Sequence, residues 1–181
     1  FENLKYYVEA KKLNHTVDSF AYRIQERDGR TLIPEKLSKA GIKGVVTGEL
    51  IRNGEITIGG KVTRLDEVSQ KRPGQSFVFM LDTRMDETLL HLAKDADMLV
   101  CDSTYLSDRE NMAKEYGHLT AKQAGIIAKE SNVRKLVLTH FSQIYSNVKE
   151  FENEAKSVFE NVVAVKDGDI VSMPKRKRYM K

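Results

Sequence analysis

Three features of the sequence predict an α/β fold. From Phe77 onward, short apolar runs alternate with segments of helical spacing. The runs carry no turn residues and are too brief for helices, as buried parallel strands are. Three of them then deliver chemistry-bearing residues in their first positions past the run: Asp82-Thr83, Asp102-Ser103-Thr104 and His140. The carboxyl ends of such strands are where ligands and metals collect in open α/β sheets.

The 181 residues are enough for one full core and most simply form one domain. No apolar run approaches a membrane span, and the amino terminus lacks the basic and apolar regions of a secretory signal. The single cysteine, Cys101, excludes an internal disulfide framework and suits a reducing cytoplasm. It follows an apolar strand, so its plain reading is a small core residue. A net charge of +4 permits an anionic partner without requiring one. The chain begins without methionine, in what reads as the middle of a strand, and is therefore expected to be a fragment.

In chain order, Tyr6 to Ala10 is a strand, Leu13 to Thr16 a break, and Phe20 to Glu26 an alternating, half-buried strand. His15 thus falls in a loop between two strands. Arg27 to Arg30 reads as a turn. Residues 31–74 differ in kind and hold seven of the eleven glycines. Ile33 to Ala40 can form a short helix, with Pro34 in its first turn and Gly41 ending it. Beyond it, Val45-Val46, Leu50-Ile51 and Ile56 to Ile58 read as short strands among basic residues. The segment is expected to be an extruded basic arm, inserted into a domain made of residues 1–30 and 75–181. Its charges could serve a ligand or simply solvate it.

Ser76 to Leu81 is the next strand, followed by a helix over Asp86 to Lys94 with Leu89, Leu90 and Ala93 on one face. Met98 to Cys101 is a buried strand, and a helix from about Asp108 to Tyr116 follows. A second helix, Thr120 to Ser131, is capped by Thr120. Leu136 to His140 is a strand, Asn147 to Phe159 a charged amphipathic helix, and Val162 to Val165 and Asp169 to Val171 short strands. Pro174 to Lys181 is a basic tail.

A lone His140 would read as a satisfied, half-buried histidine; Asp82 and His15, also at strand ends, favour a metal site instead. Imidazoles and carboxylates brought from several strand ends suit a dizinc centre, and a carboxylate such as Asp82 can bridge two metals about 3.5–4 Å apart. Thr83 is placed to support that ligand. His118 precedes a helix amino terminus, a placement suited to donating a proton to a leaving oxygen, and stands apart from the three metal candidates. A neutral imidazole or a developing anion is expected to be favoured there.

These residues resemble ribonuclease Z, the metallo-β-lactamase-fold endoribonuclease that matures tRNA 3′ ends. The resemblance rests on their order: His15, a basic glycine-rich arm, Leu81-Asp82-Thr83, Asp102-Ser103-Thr104-Tyr105, Gly117-His118-Leu119-Thr120-Ala121, and His140-Phe141-Ser142-Gln143-Ile144-Tyr145. It implies the carboxyl-terminal part of a metallo-β-lactamase (αββα sandwich) fold with an extruded basic arm. It further implies that His15, Asp82 and His140 are zinc ligands, with Zn2+ present twice in a complete site. His118 would be the catalytic proton donor, with Thr83, Thr120 and Ser142 in support. The arm would grip precursor tRNA through Lys36, Lys39, Lys43, Arg52, Lys61 and Arg64, and serve the other subunit of a homodimer. Phosphate contacts of that kind position a substrate without reading its sequence.

Two departures stand out. The family's His-x-His-x-Asp-His motif is absent, and the four histidines here, His15, His91, His118 and His140, cannot supply it. The chain alone is therefore expected to bind metal poorly and not to hydrolyse RNA. Ile144 occupies a position where the family usually carries arginine. Two other readings stay open: a different hydrolase or phosphodiesterase of the same fold, and a catalytically silent RNA-binding or dimerisation module. His91 matches nothing and reads as structural.

Overall fold

The computed structural model describes residues 1 and 3–176. Along the chain its strands are β1 (Tyr6–Lys12), β2 (Phe20–Glu26), β3 (Gly29–Leu32), β4 (Glu55–Ile58), β5 (Lys61–Arg64), β6 (Ser69–Arg72), β7 (Ser76–Met80), β8 (Met98–Asp102), β9 (Leu136–Thr139) and β10 (Val162–Ala164). The helices are α1 (Pro34–Lys39), α2 (Val45–Asn53), α3 (Glu87–Ala93), α4 (Glu110–Tyr116), α5 (Ala121–Glu130) and α6 (Lys149–Lys156). None among the described residues is long and apolar enough to cross a membrane.

The chain divides into two compact units. One joins residues 1–27 to 75–175; the other contains Asp28–Gly74. In the larger unit a six-stranded sheet runs in the order β1-β2-β7-β8-β9-β10. The pairs β1–β2 and β2–β7 are antiparallel, whereas β7, β8, β9 and β10 are parallel. Parallel neighbours need crossover connections, and α3, α4 with α5, and α6 supply them. Val78, Met80, Leu99, Cys101, Leu136 and Leu138 form the core with Leu89, Ile127 and Phe151 from the helices. Val137 is buried as well, so β9 is covered on both faces, as an all-apolar parallel strand should be. In β2 only Ala21 is buried, while Phe20, Tyr22 and Ile24 are each more than a third exposed. The apolar half of its alternation therefore points away from this core.

Several expected elements change at their ends. Gly29 and Arg30, read as turn, already belong to β3, because Gly29–Leu32 pairs with Ser69–Arg72. The smaller unit accordingly starts at Asp28, ahead of Thr31. Val45-Val46 and Leu50-Ile51 are parts of α2 and not strands. Helical spacing lets Val46 and Leu50 face a small core with Ile42 and Val68. The helix over Asn147 to Phe159 is trimmed to α6, and Asp169 to Val171 forms no strand. Of the basic tail, residues 177–181 lie outside the described residues.

Candidate metal and proton-transfer site

Strand register builds the site. Met80 pairs with Cys101, Cys101 with Leu138, and Asp102 with Thr139. The residues that leave these parallel strands, Asp82, Asp102 and His140, therefore emerge side by side. Asp82 and His140 both turn out of the sheet in the left-handed region, at φ 55° and 64°. Asp and His tolerate that region better than most residues, and such conformations gather at functional sites. The chain beyond His140 is anchored by rings: Phe141 and Tyr145 pack on the fully buried Phe151, with centroids 4.5 and 5.0 Å away.

Four residues, Asp82, Asp102, His118 and His140, bring potential ligand atoms within 4.8 Å of one another. His140 Nε2 lies 3.1 Å from Asp82 Oδ1. Its other nitrogen, Nδ1, lies 2.9 Å from the Thr104 hydroxyl, which donates its own proton to Asp102. Nδ1 must then be the donor, which leaves Nε2, beside Asp82, as the nitrogen available to a metal. His15 follows the same logic. Its Nδ1 is 2.8 Å from the Gly117 carbonyl, which can only accept, so Nε2 is again the open nitrogen. Metal-bound histidines characteristically have their second nitrogen held this way. The His15 loop is tied to the segment carrying Asp82 by Ser19 Oγ to the Leu81 carbonyl and by the Arg84 N–H to the Asn14 carbonyl. The donor types of His15, Asp82 and His140 fit a metal ion of the borderline kind, but His15 is not among the residues whose ligand atoms gather within 4.8 Å of one another.

His118 is not apart from these groups. Its ring lies 5.1 Å from that of His15 and 5.2 Å from that of His140, and its Nδ1 is 3.8 Å from Asp82. It sits between α4 and α5. Gly117 ends α4 at φ 89°, and Thr120 caps α5 in a reciprocal capping box with Gln123. What sets the chemistry of His118 is Asp102, whose Oδ2 accepts from Nδ1 at 2.9 Å. This bond raises the imidazole pKa; burial opposes it, and the charges of Asp102 and Asp82 add to the rise. Asp102 therefore raises the proton affinity of His118, against the opposing burial and the charge of Arg84. With Nδ1 held by Asp102, Nε2 is the nitrogen left to exchange a proton. A cavity of about 490 Å³ opens beside His118, lined by Asn14, Asn111, Lys114 and Gln123.

Asp102 was not among the sequence-predicted site residues. It is fully buried and accepts from His118, from the Thr104 N–H and hydroxyl, and from the Thr83 N–H. A carboxylate directly ending an all-apolar strand was the available signal. Thr83 directs its hydroxyl to the Arg84 carbonyl and reaches Asp102 only through its backbone, so it does not brace Asp82. Ser142 stabilises the turn after His140, its hydroxyl accepting from the Ile144 N–H at 3.4 Å. Ile144 itself is exposed, as is His91 at the end of α3. Cys101 is buried, and burial with the neighbouring Asp102 pushes its thiol pKa up. In the smaller unit Lys36, Lys39, Lys43, Arg52, Lys61 and Arg64 are all exposed. Lys36 donates to the Glu67 carbonyl and Arg64 lies 3.7 Å from Glu55.

Residues 63–141 match the beta-lactamase superfamily domain. The chain is 46% identical over 175 residues to the ribonuclease Z of Streptomyces avermitilis, covering 96% of this chain and 56% of that protein. It is 42% identical over 168 residues to the ribonuclease Z of Chlamydia abortus, covering 93% of this chain and 55% of the relative. It thus spans about half the length of these relatives. Among solved structures, the metallo-β-lactamase fold protein YhfI of Bacillus subtilis superposes with a TM-score of 0.61 at 20% identity, over 93% of this chain and 50% of that one. The short form of human tRNase Z superposes with a TM-score of 0.56 at 20% identity, over 96% and 46%. At that identity these two likenesses establish the fold.

Proposed function

From a chain of metallo-β-lactamase fold that resembles ribonuclease Z along nearly its whole length, we propose a zinc-dependent endoribonuclease that removes the 3′ trailer from precursor tRNA. The observation that carries this reading is the buried Asp102 behind His118, set beside His140 and Asp82 at three adjacent strand ends. In it, His15, Asp82 and His140 hold zinc. Zinc bound there supplies a Lewis acid that activates water and neutralises charge on the scissile phosphate. Asp102 orients His118 and sustains its imidazolium; Nε2–H then gives its proton to the leaving ribose oxygen. A positioned acid of this sort contributes roughly 10²–10⁴-fold.

The exposed lysines and arginines of the Asp28–Gly74 unit bind tRNA phosphates in this reading, in a cytoplasmic homodimer. No His-x-His pair occurs in the 181 residues, and we expect the chain assayed alone to hydrolyse RNA poorly until such ligands are supplied.

The test is cleavage of a trailer-bearing precursor tRNA by the protein as the cell makes it, with and without Asp28–Gly74. Gln25 pairs with Ser76 across β2 and β7, so a short turn can close the deletion. Deletion should lower tRNA affinity and flatten its salt dependence, because fewer phosphates are neutralised. Hydrolysis of bis(p-nitrophenyl) phosphate should persist. Failure of the intact protein to cleave at the trailer would refute the assignment, and unchanged tRNA binding after deletion would refute the role of the arm.

A further inference from the structure

Arg84 lies two residues beyond Asp82 and joins three segments that each carry a site residue. Its backbone N–H donates to the Asn14 carbonyl, 2.9 Å away, in the loop that bears His15. Its Nε donates to the Lys114 carbonyl at 2.8 Å and its Nη2 to the Glu115 carbonyl at 3.0 Å. A third nitrogen, Nη1, reaches Asn14 Oδ1 at 3.4 Å. Lys114 and Glu115 belong to the last turn of α4, whose carbonyls have no partner within the helix. A guanidinium suits them because its donors form a rigid fork.

The next residue but one after Glu115 is Gly117, and its carbonyl holds His15 Nδ1. The fit there is tight. A Cβ built on Gly117 would lie 2.5 Å from His15 Nδ1 and 3.3 Å from Arg84 Nη1. His15 therefore has no anchor on its own loop; its ring direction depends on where the end of α4 places one carbonyl. His118 differs, since Asp102 holds it from β8.

We propose that Arg84 is a positioning residue for His15, acting through the end of α4 and the Gly117 carbonyl to hold Nδ1 and leave Nε2 as the open nitrogen. The proposal rests on His15 being a metal ligand for its consequence, but the orientation of the ring stands independently of any nuclease activity. An arginine that merely capped α4 would affect helix stability and leave the His15 tautomer alone.

Imidazole ¹H–¹⁵N correlation spectra separate these cases, since the chain has only four histidines. With Nδ1 of His15 donating to the Gly117 carbonyl and Nδ1 of His118 to Asp102, the wild-type chain should show each of these rings with a proton fixed on Nδ1. In Arg84→Met, His15 should average between tautomers while His118 keeps its Nδ1–H and His91, remote on α3, does not move. Zinc titration of the same substitution in the protein as the cell makes it should show affinity lowered by roughly 10-fold or more, the usual effect of releasing a ligand's second nitrogen. Should His91 report an unfolded chain, Arg84→Lys replaces it: a single ammonium nitrogen lacks the fixed fork whose Nε and Nη2 meet the two carbonyls, and the same selective loss at His15 is expected. A single, unchanged His15 tautomer with zinc affinity within two-fold of wild type, in whichever variant is folded, overturns the proposal. So does equal disturbance of His118, which would mean general loosening of the site.

Discussion

Replacing Asp102 by asparagine keeps shape and removes charge, which makes it the sharpest probe of the site. The carboxylate is fully buried and accepts four hydrogen bonds. Two come from Thr104, its N–H at 2.9 Å and its hydroxyl at 2.7 Å, both on Oδ1. An asparagine carbonyl can keep this pair. Its NH2 must then replace Oδ2, facing His118 Nδ1 at 2.9 Å and the Thr83 N–H at 3.4 Å. The Thr83 bond is long and its loss minor. The His118 bond is charge-assisted and worth about 1.5–3 kcal/mol, so D102N should destabilise the chain by roughly that amount. D102A, which orphans all four donors, should cost more. The remaining His118 ring can satisfy the new NH2 only by reversing its tautomer, placing the proton on Nε2 and the lone pair on Nδ1. Urea unfolding at pH 7, followed by circular dichroism because the chain has no tryptophan, measures the first effect, and imidazole nitrogen shifts the second. An unchanged unfolding midpoint with His118 still protonated on Nδ1 would mean that Asp102 does not hold this ring.

Three further outcomes follow from the same geometry. In the complete enzyme, His118→Ala should leave zinc content nearly unchanged and slow tRNA cleavage roughly 10²–10⁴-fold; loss of zinc would make His118 a ligand. Gly117→Ala should cost at least about 1 kcal/mol, from φ 89° alone, and should displace His15 in the spectra, whereas a fully stable variant with His15 in place would contradict the close approach. Burial pushes the Glu152 carboxyl up, but bonds from Lys149, Lys156 and the Ala164 N–H outweigh it and hold the pKa at about 2. A depressed carboxylate stabilises above its unfolded value of 4.5 and loses that contribution as pH falls toward 2. Both lysines are well exposed, so solvent screening cuts the nominal shift to about 1–2 kcal/mol; unfolding free energies of wild type and Glu152→Gln should converge by that amount between pH 5 and 2.5, and parallel curves would refute it.

The parallel strands were legible because each is apolar on both faces and ends abruptly in a residue that does not belong in a core. That pattern located Asp82 and His140, and the loop between β1 and β2 located His15. Asp102 ended a strand in the same way but was given no role, because its burial depends on the register that sets it beside Thr139 and beneath His118. No one-dimensional signal carries that register. The same gap separated His118 from the other histidines: its place in the sequence marks a helix start, whereas Asp102, from a different strand, decides its protonation. In α2, the β-branched Val45-Val46 and the interrupting Gly48 imitate strand and turn. Only the three-dimensional partners Ile42 and Val68 reveal that Val46 and Leu50 share a helical face.

The pairing of Gln25 with Ser76 has a kinetic consequence for everything between them. To the sheet, Asp28–Gly74 is one long loop. Closing about 47 residues instead of a four-residue turn costs roughly 2 kcal/mol in chain entropy, at about 0.6 kcal/mol per doubling. The buried Ile42, Leu50 and Val68 recover about 1.5–3 kcal/mol apiece at most, against the backbone entropy of ordering the whole segment. Such a segment should open and close many times within the lifetime of the folded sheet. Its amides should exchange with solvent as a separate, faster cooperative group, while those of β7, β8 and β9 wait for global unfolding.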